Sequence, residues 1–524
     1  MTRPGRATAI VLAVGALFCL ARAHFVGISD PSEGRYVQIA WEMVTSGDWI
    51  TPRWNGIPHL EKPPLAYWAG AVGMTVFGTN EFGARILSTL ALITSAVLLA
   101  GIARRVAGPK SAPAAAAFCL LPYPVALGCA LLTDGFLLLA TVLFYDALFR
   151  RMEEGSRRAL NVVPVALAIG TLAKGQAILL FTVLPFLFMR TGFFWEIFRP
   201  ARLLLLLALV VPWIVAIQGR YPDFLALHTG KLAAFVATGK QHHHDPPYIY
   251  LVAVLAGMFP FTLWASRGIR GLPRPHARVL ALWFGLPFVF LSLVPSRSWT
   301  YILSSTPVVA LLGARGIELG AITKARLSDG RIGMAGGVIG LAVVLIGRGR
   351  FVPPDVVIVG LILSATFFVT GSTLWFLAKR SPRLTAVILS GLLTLGLAAA
   401  TMADEPAFRI YRGLARRVGE LAGPRGGVAI VAAKMPSVPF YLGRFVTVAA
   451  LDDRLAKEAL LWGGSPWFRP DLSIERVLRE NRSDVIIVDG KWHAQFAPTR
   501  TVLHRAGEFV VLAPDSAPRD DPPR

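Results

Sequence analysis

The stretch "SEGRYVQIAWEMVTSGDWITPRWNGIPHLEKPPLAYW", residues 32–68, is rich in charged and polar residues, whereas most of the chain is apolar. It ends in Glu61-Lys62-Pro63-Pro64, a charged pair that a rigid Pro-Pro sets just before an apolar segment. Charge at a lipid boundary is costly unless it is paired or functional. We therefore expect this stretch to do more than anchor the protein, although a simple amphipathic anchor is the alternative.

The composition points to a membrane protein. The 524 residues are 54% hydrophobic and only 16% charged, whereas a soluble protein carries about a quarter charged residues. The net charge of +22 comes from short basic clusters between apolar runs, which does not suit nucleic acid binding. The three cysteines lie inside apolar segments without metal-site spacing, so we predict buried thiols rather than disulfides or zinc ligands.

Thirteen segments are candidates for membrane-spanning helices, which need about 20 mostly apolar residues. Their approximate cores are residues 7–26, 82–103, 112–132, 134–149, 159–173, 175–189, 202–218, 247–266, 279–295, 299–318, 332–348, 355–378 and 384–402. If the N-terminus is cytoplasmic, the connections after even-numbered spans return to the cytoplasm. These connections are rich in Lys and Arg, as at residues 150–158, whereas the short connections after odd-numbered spans carry few. The positive-inside rule predicts this asymmetry for a multi-pass protein.

The N-terminus fits two descriptions. Arg3 and Arg6 precede the apolar run 7–20, and Ala21-Arg22-Ala23 has the small residues of a signal-peptide cleavage site. We predict an uncleaved first spanning helix, because many further spans follow. Both descriptions place the next loop outside.

Three segments are too polar to span and are predicted to lie outside: residues 27–81, 219–247 and everything after Met402. The last contains β-type runs at 427–431, 484–489 and 508–512 and helical patterns at 409–421 and 472–480. We predict a helical membrane domain, residues 1–403, and a small external α/β domain, residues 404–524, with a disordered tail.

The first external loop is predicted to contain two interfacial helices. Tyr36, Ile39, Ala40 and Met43 recur at helical spacing, which indicates an amphipathic helix at the membrane surface. Residues 65–78 are apolar but too short to span comfortably.

These motifs carry a family resemblance. Residues 33–68, followed by "FGTNEFGARI" (77–86), closely resemble the first external loop of the bacterial 4-amino-4-deoxy-L-arabinose lipid A transferases, which are GT-C glycosyltransferases like the protein O-mannosyltransferases. Weaker similarities follow in the family's order: Thr133-Asp134, "TLAKG" (171–175), "HTGK" (228–231), residues 238–260, "PSRSWTYILSSTPVVALL" (295–312) and "PSVPFYLGRFV" (436–446). The resemblance implies an all-α polytopic membrane protein of the GT-C fold, with about thirteen helices and a small external C-terminal α/β domain.

The resemblance also implies a reaction in which a sugar leaves a polyprenyl-phosphate carrier at the outer membrane face. Fixed cations would stabilise the charge that develops on the phosphate. Arg35, Lys62 and Lys231 match family positions implicated in holding the phosphate, and Lys174 lies at the same face; Tyr36 is a further site residue. The alternative for each cation is an ordinary interfacial side chain reaching to lipid headgroups.

Activation of the acceptor is the second requirement. A hydroxyl acceptor needs a carboxylate base, for which Asp134 is a candidate. The family has Asp-Glu before x-Arg-Tyr, whereas this chain has Ser32-Glu33, so Glu33 or Asp30 would have to serve in the first loop. A phosphate acceptor such as lipid A is already an anion and needs no strong base.

Consecutive histidines at 242–244 raise the question of a metal. One of them, with His244 as our choice, could be a ligand together with Glu61 or His228. Three adjacent imidazoles cannot all face one ion on a regular element, so we assign no metal site and leave a divalent cation open.

The resulting hypothesis is a multi-pass glycosyltransferase of a bacterial inner membrane with an extracytoplasmic C-terminal domain. Its donor would be an undecaprenyl- or related polyprenyl-phosphate sugar, such as aminoarabinose or mannose, and its acceptor a lipid A-like lipid or another envelope molecule. A protein O-mannosyltransferase-like activity, a lipid-linked-sugar flippase and a structural envelope protein are the alternatives.

Overall fold

The fold is known from a computed structural model. It describes residues 5–189, 191–226, 229, 245–246, 248–320, 331, 334–335, 337–339, 341–342, 357–377, 382–403, 408–431, 433–449, 465–469, 476, 484–490, 500–506 and 509–514. Lys231, His228 and His242–His244 lie outside these residues, as do most of the predicted span 332–348 and the predicted helix 472–480.

The described part of the chain is mostly helical. Its α-helices are α1 (Arg6–Phe25), α2 (Ser32–Ser46), α3 (Leu65–Phe77), α4 (Glu81–Val106), α5 (Ala112–Ala116), α6 (Pro122–Gly128), α7 (Thr133–Glu153), α8 (Val163–Lys174), α9 (Ala177–Phe181), α10 (Val183–Met189), α11 (Phe194–Ile197), α12 (Pro200–Arg220), α13 (Ile249–Gly257), α14 (Phe261–Gly268), α15 (Arg274–Leu293), α16 (Pro307–Glu318), α17 (Val357–Leu377), α18 (Pro382–Ala403), α19 (Arg412–Ala422) and α20 (Ser437–Leu442). Short 3-10 helices lie at Pro109–Ser111, Ala117–Leu120, Arg157–Val162 and Trp299–Ser305.

Several helices are suited to crossing a membrane. Among the described residues, four are long and apolar enough, namely α1, α4, α12 and α15, and the count rises to six if each of two bent pairs is one span. The bends were not predicted: the segment 109–128 turns by 54° at Leu121 and the segment 249–268 turns by 98° before Phe261. Pro122 and Pro260 stand at these breaks, and proline removes a backbone donor from the helical ladder.

The first external loop folds into α2, a short hairpin and α3. Strands β1 (Arg53–Trp54) and β2 (Ile57–Pro58) pair antiparallel around Asn55 and Gly56, whose φ angles of 50° and 78° suit a tight two-residue turn. The buried carboxylate of Glu42 accepts hydrogen bonds from the backbone N–H groups of both turn residues, at 2.6 and 2.9 Å. Helix α2 therefore holds the hairpin in place.

The sequence predicted that helix α2 lies at a surface, but most of the helix is buried within the protein. Its residues Glu33, Gly34 and Tyr36 through Met43 are buried, because α3 packs on one side and α20 of the C-terminal part on another. A helix with both polar and apolar faces can be interior when each polar group has a partner. Gln38 and Glu42 meet this condition through Trp54 and the hairpin.

The C-terminal part contains a six-stranded mixed sheet, confirming the small α/β unit. The remaining strands are β3 (Val428–Val431), β4 (Thr447–Ala449), β5 (Phe468–Arg469), β6 (Val485–Asp489), β7 (Val502–Ala506) and β8 (Phe509–Leu512), in the order β5-β4-β3-β6-β8-β7. Strand β3 pairs parallel with β4 and β6, whereas β8 pairs antiparallel with β6 and β7. The sequence predicted β3, β6 and β8 within one residue at each end.

One apolar core joins the first loop to this sheet. It contains Tyr36 and Met43 of α2 together with Val438 of α20 and Ile430 and Ile487 of the sheet. The boundary proposed at residues 403 and 404 stays a prediction; the described helix α18 ends at Ala403 and α19 begins at Arg412. The shared core fixes the C-terminal unit against the loop that carries the candidate site residues.

Candidate active site

A cavity of about 1150 Å³ lies where the first loop, the helix ends and the C-terminal unit meet. Its wall includes most of the residues singled out from the sequence: Glu33, Arg35, Tyr36, Glu61, Lys62, Asp134 and Lys174. These come from four separate parts of the chain. The predicted members Lys231, His228 and His244 lie outside the described residues.

Two cations on the wall have no anionic partner in the described part of the chain. Lys62 and Arg35 are partly buried, and neither side chain has an ion pair within 4 Å or a hydrogen bond there. Burial lowers the pKa of the Lys62 ammonium, an effect that neighbouring Glu61 opposes. Unpaired positive charge facing a cavity favours binding of an anion.

Asp134 and Lys174 form a buried ion pair. The Nζ atom of Lys174 lies 2.7 Å from Oδ1 of Asp134 and 4.7 Å from the centre of the Tyr301 ring. Asp134 is in the first turn of α7 and Lys174 is the last residue of α8, so each charge has the sign that the adjacent helix dipole stabilises. Lys174 is therefore held in place by Asp134 and by the aromatic ring.

Tyr36 contributes an ordered aromatic group to the same wall. Its ring stacks on Tyr67 with 5.1 Å between centroids. Burial raises the pKa of Tyr36 to about 12. The phenol is therefore neutral at physiological pH and can donate a hydrogen bond but not act as a base.

Glu33 is held by four hydrogen-bond donors. Its two oxygens lie 2.6 and 2.7 Å from Nε and Nη2 of Arg85, and they also accept the backbone N–H groups of Ser29 and Leu131, each at 3.1 Å. Burial alone would raise the pKa of Glu33, but the Arg85 guanidinium holds it below its ordinary value. A carboxylate so occupied is poorly suited to taking a proton, and this geometry favours a structural role over the catalytic role predicted for Glu33.

Asp30 is likewise engaged. Its carboxylate accepts the Oγ–H of Ser437 at 2.6 Å and the backbone N–H of the same residue at 3.1 Å, which ties the first loop to α20. Burial raises the pKa of Asp30 well above its usual range. Ser32 is exposed on the cavity wall, so the position where the family carries an acid holds a hydroxyl. Of the three carboxylates proposed as bases, Asp134 has the fewest competing donors.

Arg85 is a site residue that sequence reasoning missed. Its side chain is 1% exposed, and besides Glu33 it donates to the carbonyls of Val26 and Gly27. It lies within "FGARI", at the start of a long apolar helix, and an arginine in such a helix signals a partner or a function. That signal names no partner, because Glu33 is 52 residues away in the chain.

The described residues contain no group of three or more His, Cys, Asp or Glu side chains that could hold a metal ion. Glu61 has one notable neighbour, the buried His59, whose Nε2 lies 3.8 Å from a Glu61 oxygen. Sequence reasoning did not single out His59. The histidines proposed as ligands lie outside the described residues, so a divalent cation stays an open prediction.

Comparison with known proteins bears on the predicted resemblance. Residues 61–217 match the family described as dolichyl-phosphate-mannose-protein mannosyltransferase. The chain is 32% identical over 303 residues to an undecaprenyl phosphate-alpha-4-amino-4-deoxy-L-arabinose arabinosyl transferase of Pseudomonas fluorescens and 31% identical over 311 residues to one of Shewanella sediminis. The predicted resemblance is confirmed. These alignments cover 55% and 56% of this chain and 53% and 57% of the relatives, so the chain spans little more than half the length of either.

Solved structures extend the comparison to the whole fold. ArnT from Cupriavidus metallidurans superposes with a TM-score of 0.81 in its apo state and 0.82 in its complex with undecaprenyl phosphate, covering 98% of this chain and 99% of that one at 20% sequence identity. The chain is therefore a multi-pass membrane protein with the ArnT fold, including the small C-terminal mixed sheet.

Proposed function

We propose that this protein is an integral-membrane pentosyltransferase that moves aminoarabinose from undecaprenyl phosphate to a lipid A-like acceptor. The observation that carries the proposal is the pair Lys62 and Arg35, two cations without an anionic partner among the described residues, on the wall of a cavity large enough for a sugar phosphate. The names of the relatives and the fold of a protein that binds undecaprenyl phosphate support it. The site would face outward from a bacterial inner membrane, with the C-terminal unit extracytoplasmic.

The reaction breaks the bond between C1 of the sugar and the phosphate oxygen, and both electrons stay on that oxygen. An acceptor oxygen forms the new bond to C1. Lys62 and Arg35 stabilise the growing phosphate charge, since fixed donors in a site of low dielectric need no reorganisation. Where the acceptor is a phosphate, it is already anionic; where it is a hydroxyl, Asp134 would take the proton.

Lys174 has two effects in this scheme. Paired with Asp134, it holds that carboxylate in place on the cavity wall. Its charge also adds to the positive potential around the leaving phosphate, because Lys174 is among the charged neighbours of Lys62. The pair is thus placed to serve both the leaving group and the acceptor.

The test is a transfer assay with purified full-length protein in detergent. Radiolabelled undecaprenyl-phosphate aminoarabinose and mannose would be supplied with lipid A or with a Ser/Thr peptide. We expect aminoarabinose transfer to lipid A that is lost in Lys62→Ala and retained in Lys110→Ala, a matched change at an exposed lysine of a distant 3-10 helix. Transfer to the peptide would favour the O-mannosyltransferase-like alternative. If no donor is consumed, the transferase proposal fails and the flippase or structural alternatives replace it.

A further inference from the structure

Arg22 is a cation in the cavity wall that the reaction above does not use. It lies in the last turn of α1, partly buried, and its best contact is a long one of 3.5 Å from Nη2 to the carbonyl of Ala126. Its Nη1 atom is inaccessible to solvent and has no hydrogen-bond partner in the described structure. A guanidinium in an apolar helix is costly unless something compensates it.

Among the described residues, the buried acids Glu33 and Asp30 of the first loop already have other partners. The groups whose charge affects Arg22 most are Cys129, Arg85, Glu33 and Cys19, and Glu33 already makes a bidentate pair with Arg85. Asp30 is bound to Ser437, and burial disfavours its ionised form. Within the described part of the chain, two arginines therefore share one carboxylate, which leaves positive charge beside the cavity.

This surplus charge is separate from the cations assigned to the donor phosphate. The charged groups with the largest effect on Lys62 are Glu61, Lys174, Arg35 and Asp134, whereas those acting most on Arg22 include Arg85 and Glu33. The cavity thus has two positively charged regions. Two such regions would allow two anionic lipids to be bound in the cavity at the same time.

Two sections of the apolar wall come from different pairs of helices. One section is formed by Leu180 of α9 and Leu291 of α15, two helices that contact each other. The other is formed by Val125 of α6 and by Leu397 and Ala398 of α18, two helices that also contact each other, and α18 contacts α1, the helix of Arg22. A cation beside an apolar wall suits an anionic amphiphile, because the cation binds the charged head and the wall contacts the apolar part.

We propose that Arg22 binds the anionic group of the lipid acceptor, whose apolar part lies along α6 and α18. The proposal rests on the transferase function. It adds a location for each lipid: the acceptor beside Arg22 and the donor beside Lys62 and Arg35. The chemical class of the acceptor is a phosphorylated lipid, since a planar guanidinium pairs well with phosphate. The donor phosphate remains with Lys62 and Arg35.

Direct binding tests this without any transfer. A fluorescent diphosphorylated lipid A and the same lipid after phosphatase treatment would be titrated onto full-length protein in detergent. We expect the parent to prefer the phosphorylated form by about tenfold or more, and Arg22→Gln to lose that preference. Arg22→Lys should keep part of it, and Arg6→Gln, an exposed arginine at the other end of the same helix, should match the parent.

The transfer assay separates the two lipids. Arg22→Gln should raise the KM for lipid A by about tenfold while the KM for the donor stays unchanged. Ala398→Glu, which adds a negative charge to the α18 section, should raise the same KM and provides a second test if Arg22→Gln does not fold.

Two results would overturn the assignment: a phosphate preference that survives in Arg22→Gln and Ala398→Glu, or a rise in the donor KM instead of the acceptor KM. If the parent transfers no sugar, the proposed function fails, but the binding titration still decides whether Arg22 recognises a lipid phosphate.

Discussion

The ammonium of Lys174 sits between a carboxylate and an aromatic face, 2.7 Å from Oδ1 of Asp134 and 4.7 Å from the Tyr301 ring centre. Three distant segments of the chain supply these groups. The lysine is therefore oriented on both sides before any substrate enters, and Asp134 is held at the cavity wall. Preorganisation of this kind lowers the cost of stabilising charge in a transition state.

Asp134→Asn is expected to lower kcat by about 100-fold or more if the carboxylate takes the acceptor proton, with the KM for the donor little changed. Initial rates against donor and acceptor concentration measure this. The control is Asp146→Asn at the other end of α7, where the carboxylate pairs with Arg105 and Arg150 and lines no part of the cavity. Equal rates for Asp134→Asn and the parent would show that no base is needed, as with a phosphate acceptor.

Lys62 should make donor binding depend on pH. Burial lowers its pKa, so the ammonium loses its proton, and with it the attraction for phosphate, at a lower pH than an ordinary lysine does. The donor KM should therefore rise as the pH increases through that lowered pKa. Lys62→Arg should move this rise to higher pH, because guanidinium stays charged. If the donor KM of Lys62→Arg rises at the same pH as that of the parent, the titrating group is not Lys62.

Arg85→Gln should destabilise the fold strongly. It leaves the buried Glu33 without its cation, and breaking a buried pair in this way costs about 3 to 5 kcal/mol. Thermal melting in detergent, followed by tryptophan fluorescence, would record a lower Tm. Arg417→Gln is the matched control, because its pair with Glu420 is about half exposed and is worth about 1 kcal/mol or less. Similar melting of the two variants would contradict the structural role given to Glu33 and Arg85.

Gly34 is expected to tolerate no side chain. A Cβ at this position would collide with Oδ1 of Asp30 and come within 2.9 Å of the backbone nitrogen of Ser437. Gly34→Ala should therefore loosen the C-terminal unit from the first loop, which limited proteolysis would detect as earlier cleavage.

Ser437→Ala tests the same contact more gently. It removes the 2.6 Å hydrogen bond to Asp30 but leaves the backbone one, at an expected cost of about 1 to 3 kcal/mol. If neither Gly34→Ala nor Ser437→Ala changes the cleavage pattern, the contact through Asp30 does not hold the two parts together.

The resemblance of residues 33–68 predicted the fold because its motifs are local and long. The α/β character of the C-terminal unit was also readable, since β3, β6 and β8 are continuous apolar runs with helical patterns between them. The bend at Leu121 could have been inferred from Pro122, but the apolar periodicity of residues 112–132 hid it.

The site was predictable only in part. The sequence offered Arg35 and Lys62 as candidates through the family resemblance, and Asp134 and Lys174 as charges beside apolar segments, where charge is costly. It did not reveal that Lys174 pairs with Asp134, that Arg85 holds Glu33, or that Asp30 reaches Ser437, since these partners are 40, 52 and 407 residues apart. Which charges cancel and which remain for a ligand depends on distances of a few ångströms between segments, and only the tertiary structure determines those distances.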